Sequence, residues 1–370
     1  MIRSKSLKKR CGKLIAAVLI ITLISALMLS GCGVPDSASA TDAETTTIED
    51  DYGRKVEVPK EITKIAASGA TAQMILMTIA PEMLVGLTSS PSTLQMPYFP
   101  EDMWYLPTFG QFYGSKSSLN VEALIDAQPQ VIIDLGDRKS SGKSDMNDIQ
   151  KRTKIPTFFY EGSLDKLPET YRKLGKILGK EEQAEKLAVF IEDTNKMAAE
   201  NKAKIPPEQV YTVLYGTGPT GLACNAFGSS QADVIDIIGA ENAIHPAEIT
   251  SRGGGTTVSL EEVYKEQPDV IILSTGGPYE ELETNEWSGL DAVKNGKYYE
   301  IPDLPYSWMS SPPSVNRVLG VYWLGKLLYP EYYDFNMVEK AQEFYSLFWH
   351  YDLSEEEAKE MLAHSVLKDQ

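Results

Sequence analysis

Cysteine is nearly absent from this chain. Its 370 residues hold three, Cys11, Cys32 and Cys224. The first two fall in or at the end of an N-terminal leader, so one thiol remains in the body of the protein. That excludes an internal disulfide framework and a cysteine-based zinc cluster. Histidine is equally scarce. His245, His350 and His364 are the three present, two of them close to the C-terminus, and a bare-metal site built from several imidazoles is not expected. No GxSxG or Walker A string occurs, and the scattered carboxylates, Asp303 among them, form no paired acid–base signature. Positive charge is the remaining deficit: 35 Lys and Arg stand against 52 Asp and Glu, a formal net charge of −17. Affinity for nucleic acid comes largely from Lys and Arg on phosphates, so no nucleic-acid partner is expected.

The cations that do occur are concentrated at the start. Arg3, Lys5, Lys8, Lys9, Arg10 and Lys13 precede an uncharged apolar run from Leu14 to Leu29. The run is too short for a comfortable membrane span and has the length of a signal-peptide core. It closes on Leu29-Ser30-Gly31-Cys32, which resembles the lipobox of bacterial lipoproteins. Small residues there fit a signal peptidase, and the Cys32 thiol takes a diacylglyceryl group. Removing the leader takes six cations and no acid, so the formal charge falls from −17 to −23. Residues 1–31 are assigned as the signal peptide. Residues 32–47, rich in Ser, Ala, Thr and Asp, are assigned as a flexible tether attached to lipid. Several acyl chains, palmitate-like in length, would hold the protein stably at the membrane where one would not. The expected location is the extracytoplasmic face of the cell membrane, at the cell surface or in a periplasm.

Folded sequence begins near Ile48. Asp51-Tyr52-Gly53-Arg54-Lys55-Val56-Glu57-Val58-Pro59 places a Gly turn among β-prone residues and predicts a hairpin. A short strand over Ile62 to Ala67 leads to Ser68-Gly69-Ala70-Thr71 and an apolar helix. Buried strands are expected at Val131 to Asp134, Val210 to Tyr215, Val270 to Leu273 and Tyr298 to Ile301. Between the first pair, residues 164–204 carry Leu167, Tyr171, Leu174, Ile177, Leu178, Leu187, Phe190 and Ile191 at helical spacings, with Gly175 and Gly179 as interruptions. Helices over Val338 to Trp349 and Ser354 to Ala363 close the chain, and Ser354 with Glu357 fits a capping box.

The strongest organising feature is a repeat. Leu119-Asn120-Val121-Glu122-Ala123-Leu124 followed by Gln128-Pro129-Gln130-Val131-Ile132-Ile133 recurs as Val258-Ser259-Leu260-Glu261-Glu262-Val263 followed by Gln267-Pro268-Asp269-Val270-Ile271-Ile272. Glu122 to Glu261 and Pro129 to Pro268 are each 139 positions apart. Each copy reads as a helix, a Pro that cannot continue it, and a buried strand. Two similar α/β lobes are therefore expected: residues 48–163 and 205–335, joined by a linking helix over 164–204 and followed by C-terminal helices over 336–370.

The hairpin with Pro59, the paired Glu-to-Pro-to-Val-Ile-Ile blocks, the long helix between them and the lipobox together resemble the substrate-binding family of ABC importers for ferric siderophores, haem and cobalamin. The resemblance runs from about Thr47 to Tyr329. It implies an α/β protein of two Rossmann-like lobes joined by a long rigid helix, with the ligand in the cleft and modest closure. It also implies that Glu122 and Glu261 dock onto arginines of the two permease subunits. Where the family often opens its first helix with Thr-Glu, this chain has Ala72-Gln73, and the Ser354 to Ala363 helix lies beyond the usual end.

Open α/β sheets bind ligands at the C-terminal ends of their strands. That rule selects Ser68, Thr71, Phe112 and Tyr113 in the first lobe, and Tyr215, Arg252, Tyr306, Trp308 and Arg317 in the second. Aromatics offer broad contact to a macrocycle or chelate. Arg252, beside Gly253-Gly254-Gly255, and Arg317 suit a carboxylate, phosphate or oxyanion. Trp308 and Arg252 are expected to serve ligand affinity more than folding. The leading expectation is a binding module and not an enzyme, a monomer without a cofactor, with a small-molecule metal chelate and an ABC permease dimer as partners. An oxyanion such as molybdate or tungstate is the alternative within the same fold. A Rossmann-type oxidoreductase rests only on Gly216-Thr217-Gly218-Pro219-Thr220-Gly221, where Pro219 and the turn-like Asn225-Ala226-Phe227-Gly228 oppose a helix start. A surface adhesin is the remaining class.

Overall fold

A computed structural model describes residues 44–113, 117–246 and 255–366. The chain opens with strands β1 (Thr45–Glu49) and β2 (Lys55–Pro59), which pair as a hairpin. The first lobe follows: β3 (Ile65–Ala67), helix α1 (Ala70–Ile79), α2 (Val121–Asp126), β4 (Val131–Gly136), α3 (Gly142–Thr153) and β5 (Thr157–Glu161). Its sheet is parallel, in the order β3-β4-β5, with Ile65 opposite Val131 and Ile133 opposite Phe158. Helices α4 (Leu167–Leu178) and α5 (Glu181–Lys202) lead to the second lobe. That lobe holds β6 (Thr212–Thr217), β7 (Ala223–Cys224), α6 (Asp233–Ile237), β8 (Glu241–Asn242), β9 (Thr256–Thr257), α7 (Leu260–Glu266), β10 (Val270–Leu273), α8 (Asp291–Lys294), β11 (Tyr298–Glu300) and α9 (Arg317–Leu328). Its sheet runs β11-β10-β6-β7-β9, with β8 beside the start of β6. Strands β11, β10, β6 and β8 are parallel, and β7 is antiparallel to β6. Helices α10 (Met337–Phe344) and α11 (Glu355–Met361) end the described chain.

The sequence repeat is a structural repeat down to its polar details. Asn120 Oδ1 caps α2 by accepting from Ala123 N at 3.1 Å, and Ser259 Oγ caps α7 by accepting from Glu262 N at 3.1 Å. Gln128 and Gln267 both take the left-handed region, at φ 52° and 42°, and each stands directly before the Pro that bars further helix. Gln130 Oε1 then accepts from Thr63 N and Lys64 N at 2.7 and 3.0 Å. Its counterpart Asp269 accepts through Oδ2 from Thr212 N and Oγ1 at 2.8 and 2.7 Å. In each lobe this residue pins the start of the neighbouring strand and so sets the register of the central pair.

Both sheets are apolar on both faces because both faces are covered. Ala66, Ile132 and Phe159 pack against Leu124, Met146 and Ile149, while Ile65, Ile133 and Phe158 face a second core. In the other lobe Leu214, Ile271 and Leu273 face Val263 and Trp287, while Val213, Tyr215 and Ile272 join that same second core. Leu187, Phe190 and Ile191 of α5 lie in it too, as do Phe344, Phe348 and Trp349 near the C-terminus. One core thus runs from lobe to lobe through the linking helix.

The linking segment is two helices. Gly179 takes φ +65° and caps α4 in the left-handed conformation. Gly175 does not break the helix. A side chain there would meet Ala184 Cβ at 2.4 Å, so its role is to let α4 lie close against α5. The capping box at Ser354 is formed, with Ser354 Oγ and Glu357 bonded reciprocally. Cys224 is buried, which pushes its thiol up to about 12 and makes it unreactive.

The opening hairpin is held by Arg54. Its Nη1 meets Asp50 Oδ2 at 3.0 Å and Thr157 O at 2.7 Å, Nε donates to Asn147 Oδ1 at 2.9 Å, and Nη2 donates to Gln150 Oε1 at 3.0 Å. The Asp50 and Arg54 side chains are 0 % and 7 % exposed. A buried pair broken on one side leaves an uncompensated charge, a loss of about 3–5 kcal/mol. Arg54→Ala is expected to lower unfolding free energy by about that amount in urea titrations, with Arg54→Lys recovering only part because one ammonium nitrogen cannot reach the four acceptors spread around the guanidinium.

Candidate functional site

In the first lobe the strand ends converge on a buried carboxylate. Asp134 belongs to the Val-Ile-Ile-Asp-Leu run of β4, yet its Oδ1 accepts from both Ser68 Oγ and Tyr113 Oη. Burial pushes the Asp134 carboxyl up, and the two hydroxyl bonds and nearby Lys139 hold it down. Burial and the facing carboxylate push the Tyr113 phenol well up, so it stays a donor. Lys139 lies over the Tyr113 ring at 4.8 Å and Arg138 over Tyr52 at 5.4 Å. Thr71 stands in the first turn of α1, half-buried. Phe112 is 2 % exposed and packs with Ile132 and Phe159 in the core.

In the second lobe Tyr215 is buried in β6, and its hydroxyl bonds with Ser310 Oγ at 2.8 Å. Asn225 follows β7, and its buried amide lies near the Tyr215 hydroxyl without a well-formed hydrogen bond among the described residues. Arg317 opens α9 at 1 % exposure. Its Nε donates to Ser314 O at 3.2 Å, and Nη1 donates to Ser230 O at 2.9 Å and to the Asp233 carboxylate. Its Nη2 has no partner among the described residues, and neither does Asp233 Oδ1. Burial outweighs the attraction of Arg317 and pushes the Asp233 carboxyl up to about 6, with Asp137 of the first lobe adding to the rise. Tyr306 is half-buried between Phe99 at 6.0 Å and Trp349 at 5.6 Å. Burial pushes its phenol up to about 12 against a hydrogen bond with Gln73.

The lobes touch at these residues. Ser314 Oγ donates to Thr71 O at 3.3 Å, and Gln95 Nε2 donates to Pro305 O at 2.8 Å. Gln73 Oε1 accepts from Thr88 N and Oγ1 at 2.6 and 2.9 Å, which leaves its amide nitrogen for Tyr306. A small recess lies here, lined by Gln73, Met77, Gln95, Phe99, Met103 and Tyr306 among others. The result is a junction lined with hydroxyl, amide, carboxylate and guanidinium groups, chemistry suited to hydrogen-bonding a polar ligand.

Several residues fall elsewhere than their loop positions suggested. Trp308 is 2 % exposed, lies in the core, and donates from Nε1 to Tyr345 Oη at 3.3 Å. It and Phe112 support the cleft loops from beneath. Arg252 lies outside the described residues, as does Cys32. The Gly216 to Gly221 string forms the turn from β6 into antiparallel β7, with Gly221 N donating to Gly218 O at 3.0 Å, so its glycines serve a hairpin. His245 stacks on Phe227 at 4.9 Å, His350 Nε2 lies 3.2 Å from Thr78 O, and His364 stacks on Tyr279 at 4.8 Å. Asp134, Gln73, Asn225 and Asp233 are the site residues that sequence reasoning passed over. An acid inside a buried apolar strand was the available signal for the first. Glu122 and Glu261 are both exposed, each in the first turn of a capped helix.

A model of the periplasmic binding protein family matches residues 65–304. The ABC transporter substrate-binding lipoprotein YvrC of Bacillus subtilis is 24% identical over 340 residues, covering 88% of this chain and 99% of its own. The iron(3+)-hydroxamate-binding protein FhuD of the same organism is 24% identical, covering 83% of this chain and 95% of its own. Among solved structures, an ABC transporter solute binding protein from Sulfurospirillum deleyianum is 28% identical with a TM-score of 0.79, over 86% of this chain and 99% of its own. The molybdate periplasmic binding protein MolA of Haemophilus influenzae shares the fold at a TM-score of 0.65 and 20% identity, over 84% of this chain and 99% of its own. Among the described residues no helix is long and apolar enough to cross a membrane.

Burial changes what a substitution at Trp308 measures. Trp308→Ala is expected to cost about 3–5 kcal/mol of stability, as large-to-small changes of buried aromatics do. Chemical denaturation of the ligand-free protein checks it. A loss under 1 kcal/mol would return Trp308 to the cleft surface.

Proposed function

The chain belongs to the periplasmic binding protein family, and from that premise we propose that it is the substrate-binding lipoprotein of an ABC importer. It captures a metal chelate, a ferric siderophore, haem or corrinoid, between its lobes and delivers it to the permease. Cys32 carries the lipid that holds it at the extracytoplasmic face of the membrane, and the protein works there as a monomer. Its role is capture and hand-over rather than catalysis.

The observation that carries this reading is the unfinished hydrogen bonding at the junction. Buried polar groups in folded proteins are almost always paired, and an orphan calls for an explanation. Here, among the described residues, the Arg317 guanidinium at the start of α9 keeps Nη2 without an acceptor, and the Asn225 amide after β7 makes no well-formed hydrogen bond, although it lies near the Tyr215 hydroxyl. An oxygen-rich ligand supplies acceptors for Arg317 Nη2 and Asn225 Nδ2, while Asn225 Oδ1 and Asp233 Oδ1 call for a donor on it. The name of the relative FhuD, an iron(3+)-hydroxamate-binding protein, favours a chelate of that kind. Ser68, Thr71, Tyr113, Tyr215, Tyr306 and Arg317 are the ligand contacts we assign, Ser68, Tyr215 and Arg317 being buried until the junction opens to a ligand, and Arg252, outside the described residues, is assigned as a further one. An oxyanion such as molybdate is the second reading, favoured by the same open guanidinium nitrogen and by the name of MolA.

Glu122 and Glu261 are assigned to permease docking. One acid per lobe, at matching places in the repeat, can meet a two-fold partner at two equivalent points. The helix dipole favours a charged carboxylate in the first turn. Interfacial charge pairs couple by about 1.5 kcal/mol or more, so losing each should weaken docking by roughly tenfold or more. The test is the double variant Glu122→Arg, Glu261→Arg. Tryptophan-fluorescence titration with a ferric hydroxamate should give the same affinity as the parent, whereas uptake by cells carrying the cognate importer should be lost. Full uptake overturns the docking assignment. Lost binding would instead place the acids in the cleft or the core.

A further inference from the structure

We propose that residues 337–366 form a strap that ties the two lobes together beside the linking helix, and that Tyr345 and Trp349 on it are positioning residues for the loop carrying Tyr306 and Trp308. The positioning half rests on the cleft reading above; the tie does not.

The strap begins as sequence. Phe344, Tyr345, Phe348 and Trp349 form two adjacent i, i+4 pairs, so one helical turn presents two neighbouring aromatic stripes. Residues Tyr345–Trp349 form a π-helical turn, and His350 ends it in the left-handed region at φ 54°. The first stripe packs on the linking helix. Phe344 and Phe348 stack at 4.4 Å and meet Phe190 of α5 at 6.2 and 5.5 Å, and Gln183 Nε2 donates to Leu347 O at 3.0 Å.

The second stripe reaches both lobes at once. On the first-lobe side, Tyr98 lies 5.8 Å from Tyr345 and 4.8 Å from Tyr351, and Phe99 lies 6.0 Å from Trp349. On the second-lobe side, Tyr345 Oη donates to Leu304 O and accepts from Trp308 Nε1, and Trp349 lies 5.6 Å from Tyr306. Trp349 therefore sits among Phe99, from the first lobe, and Tyr306, from the second. The far end is stitched to the second lobe again. Glu300 N, in the edge strand β11, donates to His364 O at 2.9 Å, and Trp323 Nε1 donates to Ser365 O at 2.7 Å.

A helix that alone joins two bodies resists bending but resists rotation about its own axis less. A second tie displaced from that axis opposes such rotation, because the aromatic contacts at Trp349 must slide or part when the lobes move. The strap thus sets the spacing of the cleft and holds the Tyr306 loop in place before a ligand arrives, lowering the ordering cost of binding.

Hydrogen exchange on the intact lipoprotein in detergent, without ligand, tests this. Protected amides exist on both sides: Phe99 N donates to Met96 O at 3.1 Å and Met103 N to Pro100 O at 3.0 Å, while Trp308 N donates to Pro302 O at 2.9 Å. Trp349→Ala should speed exchange about tenfold in both segments while β4, β6 and β10 stay protected, and Trp349→Phe should restore most of the protection. Acceleration confined to residues 337–366 would overturn the proposal, as would failure of Trp349→Phe to rescue. If Trp349→Ala loosens the sheets as well, Tyr345→Phe decides. That variant deletes one oxygen and should still speed exchange at Trp308, and an unchanged rate there overturns the positioning role. No ligand enters the measurement, so its failure leaves the cleft chemistry standing, and an error about the ligand leaves the tie standing.

Discussion

Leu187, Phe190 and Ile191 bury the linking helix in a core that also takes Ile133 and Phe158 from one lobe and Val213 and Ile272 from the other. Protein cores pack at crystal-like density and do not deform continuously. A cleft between lobes that share such a core has a spacing set largely in advance. The placement of Thr71, Ser314, Gln95 and Pro305 in contact across the junction depends on that constraint.

Around this bar the two lobes solve one problem twice. A capped helix ends at a left-handed Gln before a Pro, and the next polar residue fastens the neighbouring strand. The same local grammar delivers two equivalent exposed acids to the outside and two sets of strand ends to the junction. The lobes differ where the ligand would sit. The first presents hydroxyls organised by a buried carboxylate, the second the Arg317–Asp233 pair, each member of which keeps one atom without a partner among the described residues.

Much of this was legible in the sequence because it is local. The hairpin at Asp51, the helix–Pro–strand blocks and the Ser354 capping box each follow from short-range rules, and the structure forms all three. The linking segment was half legible. Its helical period was clear, but spacing alone does not say that Gly179 turns the chain while Gly175 only lets two helices approach. Trp308 marks the limit. A residue at a strand end can face the cleft or the core, and only the packing of Tyr345 beneath it decides. Asp134 was hidden for the opposite reason, since its neighbours made it read as one more residue of an apolar strand. Gln73, Asn225 and Asp233 acquire their roles from partners 15 to 84 positions away or from the lack of a well-formed hydrogen bond among the described residues.

The central claim is that the junction holds a metal chelate, with Arg317 and Asn225 supplying hydrogen bonds to it. Native purification of the full-length protein from cells that make it, followed by elemental analysis and an absorption spectrum, tests this most directly. The account predicts iron or cobalt near one equivalent, in an absorbing complex released when the protein unfolds. Molybdenum or tungsten in its place, or a bound nicotinamide, would contradict it.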